Sequence, residues 1–433
     1  MTAEVPAADR PPPPGDPADD AVWRDQLQRR TVRVLVASQV LGGVGVGSGV
    51  AVVGLLAYEL SGTAALSGVS ATASTLGAAA AALVIARIAL ARGRRPSLVT
   101  GYLVGAAGAA LAVVAAVLGL FWLHVVASAA FGWASASNLQ ARYAATDLAR
   151  PERRARSLSS IVWATTIGAV AGPNLTGPGE SVSLVLGLPP LAGAYLFSLA
   201  SFAGAAAVQA VLLRPDPLLQ AAADAAVPAV ATTGWASLRS AAHTIRHVPE
   251  TLVAVLAITA AHAVMVGIMV MTPVHMEDKG AALNLVGVTI SLHIAGMYAL
   301  SPVMGALADR FGRRNVVLFG LVQLAVAALL AATGDPTGSV WFQGGLVLLG
   351  TGWSACLIAG SAWLTDAIEA ADRPAVQGAS DLAMNLAGGV GGTLAGVVLA
   401  VAGYPALAFG ALLLLIPAAV GAVRLGGAPG PRR

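Results

Sequence analysis

A short sequence that occurs twice decides the fold. It reads GALADRFGRRNVV at residues 305–317 and ARIALARGRRPSL at residues 86–98. Both copies contain the triplet Gly-Arg-Arg, at residues 93–95 and 312–314. Only 11% of the residues are charged, so a chance match of two adjacent arginines is improbable. The spacing therefore predicts an internal repeat whose offset carries Gly93 onto Gly312.

The composition places this repeat in a membrane protein. The 433 residues are 57% hydrophobic, and the charged share of 11% compares with about 25% in an ordinary globular protein. High hydrophobicity excludes a disordered chain, and a single cysteine excludes a disulfide scaffold. Continuously apolar runs such as residues 98–120 have the length of membrane helices rather than of membrane strands. We therefore predict an all-α polytopic membrane protein.

Twelve transmembrane helices are predicted from the apolar runs. They are expected at residues 32–60, 64–86, 98–120, 122–146, 157–178, 190–213, 250–275, 284–308, 315–333, 340–366, 377–402 and 405–424. With an even number of spans, every Lys and Arg except Lys279 falls on the side of the two termini. Because basic residues collect in cytoplasmic loops, this predicts that both termini are cytoplasmic.

The repeat extends beyond the triplet and sets the predicted domains. Thr146-Asp147 aligns with Thr365-Asp366, and Arg154 aligns with Arg373. A direct repeat of six spans predicts two pseudo-symmetric six-helix bundles, an architecture known from alternating-access transporters. The predicted segments are a disordered cytosolic tail at 1–30, a bundle at 31–213, a cytosolic linker at 214–249, a bundle at 250–424 and a cytosolic tail at 425–433. In the linker, Trp235, Leu238, Ala242 and Ile245 could form an apolar face against the bilayer, or the linker is a plain tether.

The sequence at 305–317 resembles the signature loop of the major facilitator superfamily, which lies between the second and third helices of each half. We expect Asp309 to accept hydrogen bonds from free amides at a neighbouring helix N-terminus. A plain positively charged loop is the alternative. The first-half copy keeps the triplet but has Leu90 where the second has Asp309. The resemblance implies a cytoplasmic network of charges that breaks and reforms during transport. Its expected members are Gly93, Arg94, Arg95, Asp147, Arg154, Asp309, Arg310, Gly312, Arg313, Arg314, Asp366 and Arg373.

Span five contains glycines and prolines that look like the motif of the superfamily's drug:proton antiporters. The residues are Gly168, Gly172, Pro173 and Gly177. By analogy this motif favours export over uptake. Ordinary close packing of small residues between helices is the alternative interpretation.

Polar side chains inside the spans are candidates for binding substrate or protons, because lipid disfavours them, and so are methionines on the same helix faces. The candidates are His262, His293, Asp381, Asn385, Asn138, Met265, Met384 and Arg142. Interhelical hydrogen bonds are the alternative for the two histidines, and a helix-cap or loop contact near the cytoplasmic end is the alternative for Asp381. Arg142 is more readily interpreted as an anchor at the cytoplasmic surface than as a substrate ligand.

The predicted function is secondary transport by alternating access, most consistent with proton-coupled efflux of a small, largely apolar organic molecule. The alternatives are a facilitator or importer of a metabolite not coupled to protons, and a non-transporting receptor or scaffold. The sequence has no Walker loop and no Cys/His cluster, so we predict no enzyme activity, metal or cofactor. No basic stripe interleaved with aromatic residues indicates nucleic-acid binding. The expected partners are the substrate, protons and membrane lipids, and the expected location is a bacterial inner membrane.

Overall fold

The structure is a computed structural model of the chain and describes residues 17–63, 66–224, 235–281 and 283–425. Within these ranges the regular secondary structure is helical, with fifteen α-helices and no β-strand. The first eight helices are α1 (Pro17–Ser61), α2 (Ser67–Arg92), α3 (Arg94–Leu118), α4 (Phe121–Ala144), α5 (Arg154–Asn174), α6 (Thr176–Leu186), α7 (Ala192–Leu212) and α8 (Pro217–Asp224). The others are α9 (Trp235–His247), α10 (Pro249–Asp278), α11 (Leu283–Tyr298), α12 (Ser301–Phe311), α13 (Arg313–Thr333), α14 (Val340–Asp366) and α15 (Arg373–Arg424).

The helix boundaries follow the sequence repeat. The offset that carries Gly93 onto Gly312 also carries the first residues of α3, α4 and α5 onto those of α13, α14 and α15. Gly93 and Gly312, which precede α3 and α13, have φ angles of 92° and 89°. Side chains with a Cβ rarely adopt such angles, so a glycine is required at both turns. Packing repeats as well, since α4 contacts α2 and α3, and α14 contacts α11 and α13.

The chain forms two compact units that do not coincide with the predicted domain boundaries. The first unit comprises residues up to 150 together with 164–240 and 369–382, and the second comprises 151–163, 241–368 and the residues after 382. The start of α5 thus belongs to the second unit, and the start of α15 belongs to the first. These two segments occupy corresponding positions of the repeat.

Nine helical stretches of the described residues are long and apolar enough to cross a membrane. Three features account for the difference from the twelve predicted spans. The stretch 373–424 holds two helices joined at Gly403, whose φ is 80°. Helix α4 is continuous but contains several polar side chains, which make it less apolar, and the predicted fifth span is divided between α5 and α6.

Two spans predicted as continuous helices are broken. Span five, expected at 157–178, ends as α5 at Asn174, one residue after Pro173. Span eight, expected at 284–308, is divided into α11 and α12, and Pro302 lies in the first turn of the second helix.

The prediction of a disordered tail at 1–30 is wrong for residues 17–30, which form the beginning of α1. Leu27 is buried there, and the Gln28 side chain donates to the Ala145 carbonyl oxygen at 2.8 Å. Packing and a hydrogen bond therefore order a polar segment that composition alone suggested was disordered. Residues 1–16 lie outside the described part of the chain.

The linker and the C-terminal tail are described in part. Helices α8 and α9 lie in the linker, whereas residues 225–234 and 426–433 are outside the described ranges, as are the side chains of Trp235 and Leu238. On the described part of α9, Ala241 is buried, and Ala242 and Ile245 are half-buried.

Candidate functional site

The first unit contains a buried cluster of charged and amide side chains that we call the Arg94 cluster. Its members are Arg94, Gln140, Arg142, Asp147, Gln377 and Asp381. The Arg94 guanidinium binds Asp147 in a bidentate arrangement, with Nε–Oδ2 and Nη2–Oδ1 distances of 2.8 and 3.2 Å. Nη2 also donates to Gln377 Oε1 at 2.7 Å. The Arg94 and Asp147 side chains are each only 1% exposed, so water screens this pair little.

The Arg94 cluster also contains a second buried ion pair, between Arg142 and Asp381. Arg142 Nη2 lies 2.5 Å from Asp381 Oδ1, and Gln140 Nε2 donates to Asp381 Oδ2 at 3.0 Å. Arg142 also donates to the Tyr143 hydroxyl at 3.1 Å and to the Leu139 carbonyl oxygen at 2.7 Å. Both charged side chains are 1% exposed. The interpretation of Arg142 as a surface anchor is therefore wrong, because its charge is paired inside the protein.

The buried charges of the Arg94 cluster balance, with two arginines and two aspartates. Removing one member of a buried pair leaves an uncompensated charge, which typically costs about 3–5 kcal/mol. A protonation or a rearrangement at one carboxylate therefore affects the position of its arginine partner.

Asp216 connects the start of the linker to the start of α3. Its carboxylate accepts from the amides of Arg94 and Arg95 at 3.1 and 2.7 Å, and from those of Leu218 and Leu219 at 3.0 and 3.3 Å. It thus caps the N-terminal turns of both α3 and α8. A Cβ on Gly93 would lie 2.5 Å from Asp216 Oδ2, so the close approach also requires glycine.

The second unit contains a corresponding set, the Asp309 cluster, formed by Arg154, Asp309, Arg313 and Asp366. Asp309 accepts from the amides of Ala155 and Arg156 at 3.2 and 2.9 Å, at the N-terminus of α5. This is the hydrogen bonding predicted for it. Arg313 pairs with Asp309 at 2.5 Å and with Asp366 at 3.2 Å, and Arg154 pairs with Asp366 at 2.5 Å.

One ion pair of the Arg94 cluster has an equivalent in the Asp309 cluster, and the other contacts of the two clusters differ. Arg94–Asp147 corresponds to Arg313–Asp366 across the repeat, but the side chains of the second pair are 12% and 28% exposed. Among the described residues, the Arg142–Asp381 pair has no counterpart, because Ser361 and Val162 occupy the corresponding positions.

In the first unit, the hydrogen-bond acceptor equivalent to Asp309 and a hydrogen-bond donor equivalent to the Ala155 amide are both absent. Leu90 corresponds to Asp309, and Pro374, which has no amide hydrogen, corresponds to Ala155. The first unit therefore lacks the acceptor and one of the two amide donors of this arrangement. Close packing is retained with different partners: Gly305 packs on Ser159, whereas at the corresponding contact Gly378 packs on Ala86.

The remaining predicted gate residues occupy element ends. Arg314 donates to the carbonyl oxygens of Ala422 and Val423 at 2.5 and 3.2 Å, near the end of α15. Arg310 lies over the Phe311 ring at 5.3 Å, and Arg373 begins α15. A role of these residues in gating stays a prediction.

The two histidine candidates lie in the second unit and make separate contacts. Trp353 Nε1 donates to His262 Nδ1 at 3.0 Å, so this ring is in the neutral form with its hydrogen on Nε2. His293 Nδ1 lies 2.8 Å from the Leu346 carbonyl oxygen and must donate to it. Its Nε2 is buried and has no hydrogen-bond partner in the described protein. Met265, which lies three residues after His262 on α10, is buried.

The other candidates are distributed over both units. Asn138 Oδ1 accepts from the Tyr102 hydroxyl at 2.5 Å in the first unit. Met384 and Asn385 are buried on α15 within the second unit. The helix-cap alternative for Asp381 is wrong, since its carboxylate binds Arg142 and Gln140 side chains.

The glycines of α5 make close contact with α1. A Cβ on Gly172 would lie 2.5 Å from the backbone of Gly47, and a Cβ on Gly43 would lie 3.2 Å from Gly168 Cα. Gly177 is different, because nothing lies within 4 Å of the position of its Cβ. It therefore does not belong to the packing motif, and its position in α6 after the break explains why.

Comparison with known proteins identifies the family. The model of the Major Facilitator Superfamily matches residues 34–291 and 254–433. The chain belongs to the major facilitator superfamily. It is thus a multi-pass secondary transporter and not an enzyme, and it has the major facilitator fold of twelve transmembrane helices in two six-helix bundles.

Curated relatives and solved structures agree with this assignment. The chain is 38% identical to the uncharacterized MFS-type transporter YdeG of Bacillus subtilis, over 91% of this chain and 92% of the relative. It is 30% identical to the riboflavin transporter RfnT of Brucella anthropi, over 82% and 85% of the two chains. The crystal structure of the human organic anion transporter MFSD10 superposes with a TM-score of 0.74 at 16% identity, covering 91% of this chain and 99% of that one. At this identity the likeness shows the fold alone.

Sequence reasoning missed several members of these sites. The sequence did not indicate three buried polar residues of this site, Gln140, Gln377 and Asp216. The two glutamines bind the Arg94 side chain, and Asp216 binds the Arg94 backbone amide. Trp353 was also missed. Among the described residues there is no group of three His, Cys, Asp or Glu side chains that could hold a metal ion.

Proposed function

We propose that this transporter exports a small, largely apolar organic molecule in exchange for protons. The observation that supports the proposal is the buried pair of Arg142 and Asp381 within the Arg94 cluster. Ionisable groups inside a membrane transporter are costly and commonly serve proton or substrate movement. Asp381 is the carboxylate that we assign to proton binding.

Proton binding at Asp381 would be tied to a rearrangement of its surroundings. A protonated Asp381 no longer neutralises Arg142, whose side chain is 1% exposed. The arginine must then find another carboxylate or move towards water, because a buried unpaired charge is strongly unfavourable. A group that binds a proton in one conformation and releases it in the other couples proton flow to alternating access.

His293 is the second candidate for proton binding. Its Nδ1 hydrogen is held by the Leu346 carbonyl oxygen, and Nε2 keeps an acceptor lone pair with no protein partner in the described residues. His262 is less suited to it, because its Nδ1 already accepts from Trp353. We therefore assign His262 and Trp353 to substrate binding. Met265, Asn385 and the other predicted side chains are assigned to the same role.

The energy available is sufficient for export. One proton that crosses a membrane potential of about 100 mV releases about 2.3 kcal/mol. This free energy concentrates a neutral solute about fifty-fold, before any contribution of the pH gradient. The proposed direction depends on the Gly-Pro sequence of α5, and the proposed location is a bacterial inner membrane with both termini in the cytosol.

A second candidate function is facilitated transport or import of a metabolite without protons. The similarity to the riboflavin transporter of Brucella anthropi favours it. In this case the buried charge pairs would stabilise the fold or control opening, and Asp381 would not bind a proton during the cycle.

Flux into proteoliposomes separates the two functions. The purified protein is reconstituted, a pH step is imposed, and the movement of two probes, ethidium and riboflavin, is followed separately. Export coupled to protons predicts that ethidium accumulates against its gradient only with the pH step, and that Asp381→Asn abolishes this accumulation. The matched control is Asp335→Asn, which changes an exposed loop aspartate.

Either of two results contradicts coupled export. Riboflavin flux that follows its own gradient, ignores the pH step and survives Asp381→Asn supports the facilitator instead. Ethidium accumulation that Asp381→Asn leaves intact removes the assigned proton-binding residue.

A further inference from the structure

His124 and Tyr195 form a buried aromatic pair in the first unit that the transport proposal does not use. His124 lies near the start of α4 and Tyr195 near the start of α7. Their ring centroids are 5.9 Å apart and the rings are inclined at 76°, in an edge-to-face arrangement. The two residues are 0% and 1% exposed. Phe131 also packs edge-to-face on Tyr195, and both rings belong to a buried apolar cluster.

Each ring has one polar atom that finds no hydrogen-bond partner in the described part of the chain. His124 Nε2 lies 3.2 Å from the Val53 carbonyl oxygen, and because that oxygen can only accept, Nε2 must have the hydrogen. Nδ1 is therefore a buried acceptor, and it has no hydrogen-bond partner among the described residues. The Tyr195 hydroxyl is likewise buried without a partner there. A donor and an acceptor thus remain unsatisfied on two rings that are in edge-to-face contact.

We propose that His124 and Tyr195 bind a water molecule that bridges them. The Tyr195 hydroxyl donates to the water oxygen, and the water donates one hydrogen to His124 Nδ1. Water suits the site because it supplies one acceptor and one donor, the two functions that the rings lack. The two rings do not hydrogen-bond to each other directly.

The bridge would connect three helices through polar contacts. Val53 on α1 accepts from His124 on α4, and the water joins His124 to Tyr195 on α7. Buried polar groups of a folded protein are almost always paired with protein or with ordered water, and a water of this kind is costly to remove. The site requires no assumption about the transported molecule or about protons.

Removing the Tyr195 hydroxyl gives opposite results with and without the water. If the water is bound, Tyr195→Phe deletes one of its partners and lowers the melting temperature by roughly 2–4 °C. If the hydroxyl is unpaired, Tyr195→Phe removes a buried unsatisfied group and the melting temperature stays the same or rises. The matched control is Tyr404→Phe, which deletes a buried hydroxyl that lies 2.8 Å from Thr272 Oγ1 and must lower the melting temperature.

A high-resolution density map of the whole protein provides an independent readout. The proposal predicts a water-sized feature within hydrogen-bond distance of both Tyr195 Oη and His124 Nδ1. It is overturned by a map that shows ordered water at other buried polar sites and none here, or by a Tyr195→Phe variant at least as stable as the original chain. Both readouts are independent of transport, so they succeed or fail separately from the proposed function.

Discussion

The ion pair that the repeat duplicates provides a test of burial, because one copy is enclosed and the other is partly exposed. Asp147 lies with Arg94 in the first unit and has a side chain 1% exposed. Asp366 is its counterpart, contacts Arg154 and Arg313, and is 28% exposed. The variants Asp147→Asn and Asp366→Asn therefore delete the same charge from two different environments.

The expected magnitudes differ by several kcal/mol. Asp147→Asn leaves the Arg94 guanidinium buried without its carboxylate, which should lower the free energy of unfolding by about 3–5 kcal/mol. Asp366→Asn leaves two arginines that water reaches in part, and exposed pairs are worth only about 0–1 kcal/mol. At roughly 2–4 °C for each kcal/mol, Asp147→Asn should lower the melting temperature by about 6–20 °C and Asp366→Asn by about 4 °C or less.

Thermal unfolding of the detergent-solubilised variants, followed by tryptophan fluorescence, measures both effects. A third variant, Arg94→Gln combined with Asp147→Asn, removes both charges and should recover a large part of the loss, because no buried charge is left unpaired. Equal losses for the two single variants would refute the reasoning from burial. So would a double variant that is less stable than Asp147→Asn alone.

Two further predictions concern packing and helix capping. Gly172→Ala should destabilise the protein by about 1–3 kcal/mol, because its Cβ would lie 2.5 Å from the Gly47 backbone, whereas Gly177→Ala should be neutral or stabilise slightly. Thermal unfolding checks this difference, and equal melting temperatures would contradict the contact between α1 and α5. Asp216→Asn should cost about 1–3 kcal/mol, because one carbonyl oxygen cannot replace two carboxylate oxygens that accept from four amides. Asp335→Asn in an exposed loop is its control, and a loss as large in the control would remove the special role of Asp216.

Much of the fold could be predicted from the sequence because a charge-poor chain makes its rare charged residues informative. The offset between the two Gly-Arg-Arg triplets also separates the beginnings of α3 and α13. Gly93 and Gly312, which both have positive φ angles, belong to the same triplet, so the two turns have the same sequence and the same backbone conformation. Apolar run length then gave the approximate positions of the spans.

Local breaks were harder to predict. The end of α5 at Asn174 and the division of α11 from α12 depend on where a proline interrupts the backbone ladder. Composition also failed for residues 17–30, because Leu27 and Gln28 are ordered by contacts with distant residues. Hydropathy averages do not register such contacts.

The candidate site could be predicted only in part, for the same reason. Asp309 was identifiable because a motif placed it near a helix terminus. The partnership of Arg142 with Asp381 was not identifiable, since the two residues are 239 positions apart and are not related by the repeat. Only the packing of the first part of α15 into the first unit brings them together.

The central claim, that Asp381 binds a proton during the transport cycle, can be tested most directly by infrared difference spectroscopy of the reconstituted protein. Spectra recorded at successively lower pH should show the carbonyl stretch of a buried, protonated carboxylic acid. The account predicts that this band is present in the original chain and in Asp335→Asn, and absent in Asp381→Asn. A band that persists in Asp381→Asn, or no band in the original chain between neutral and mildly acidic pH, would contradict it.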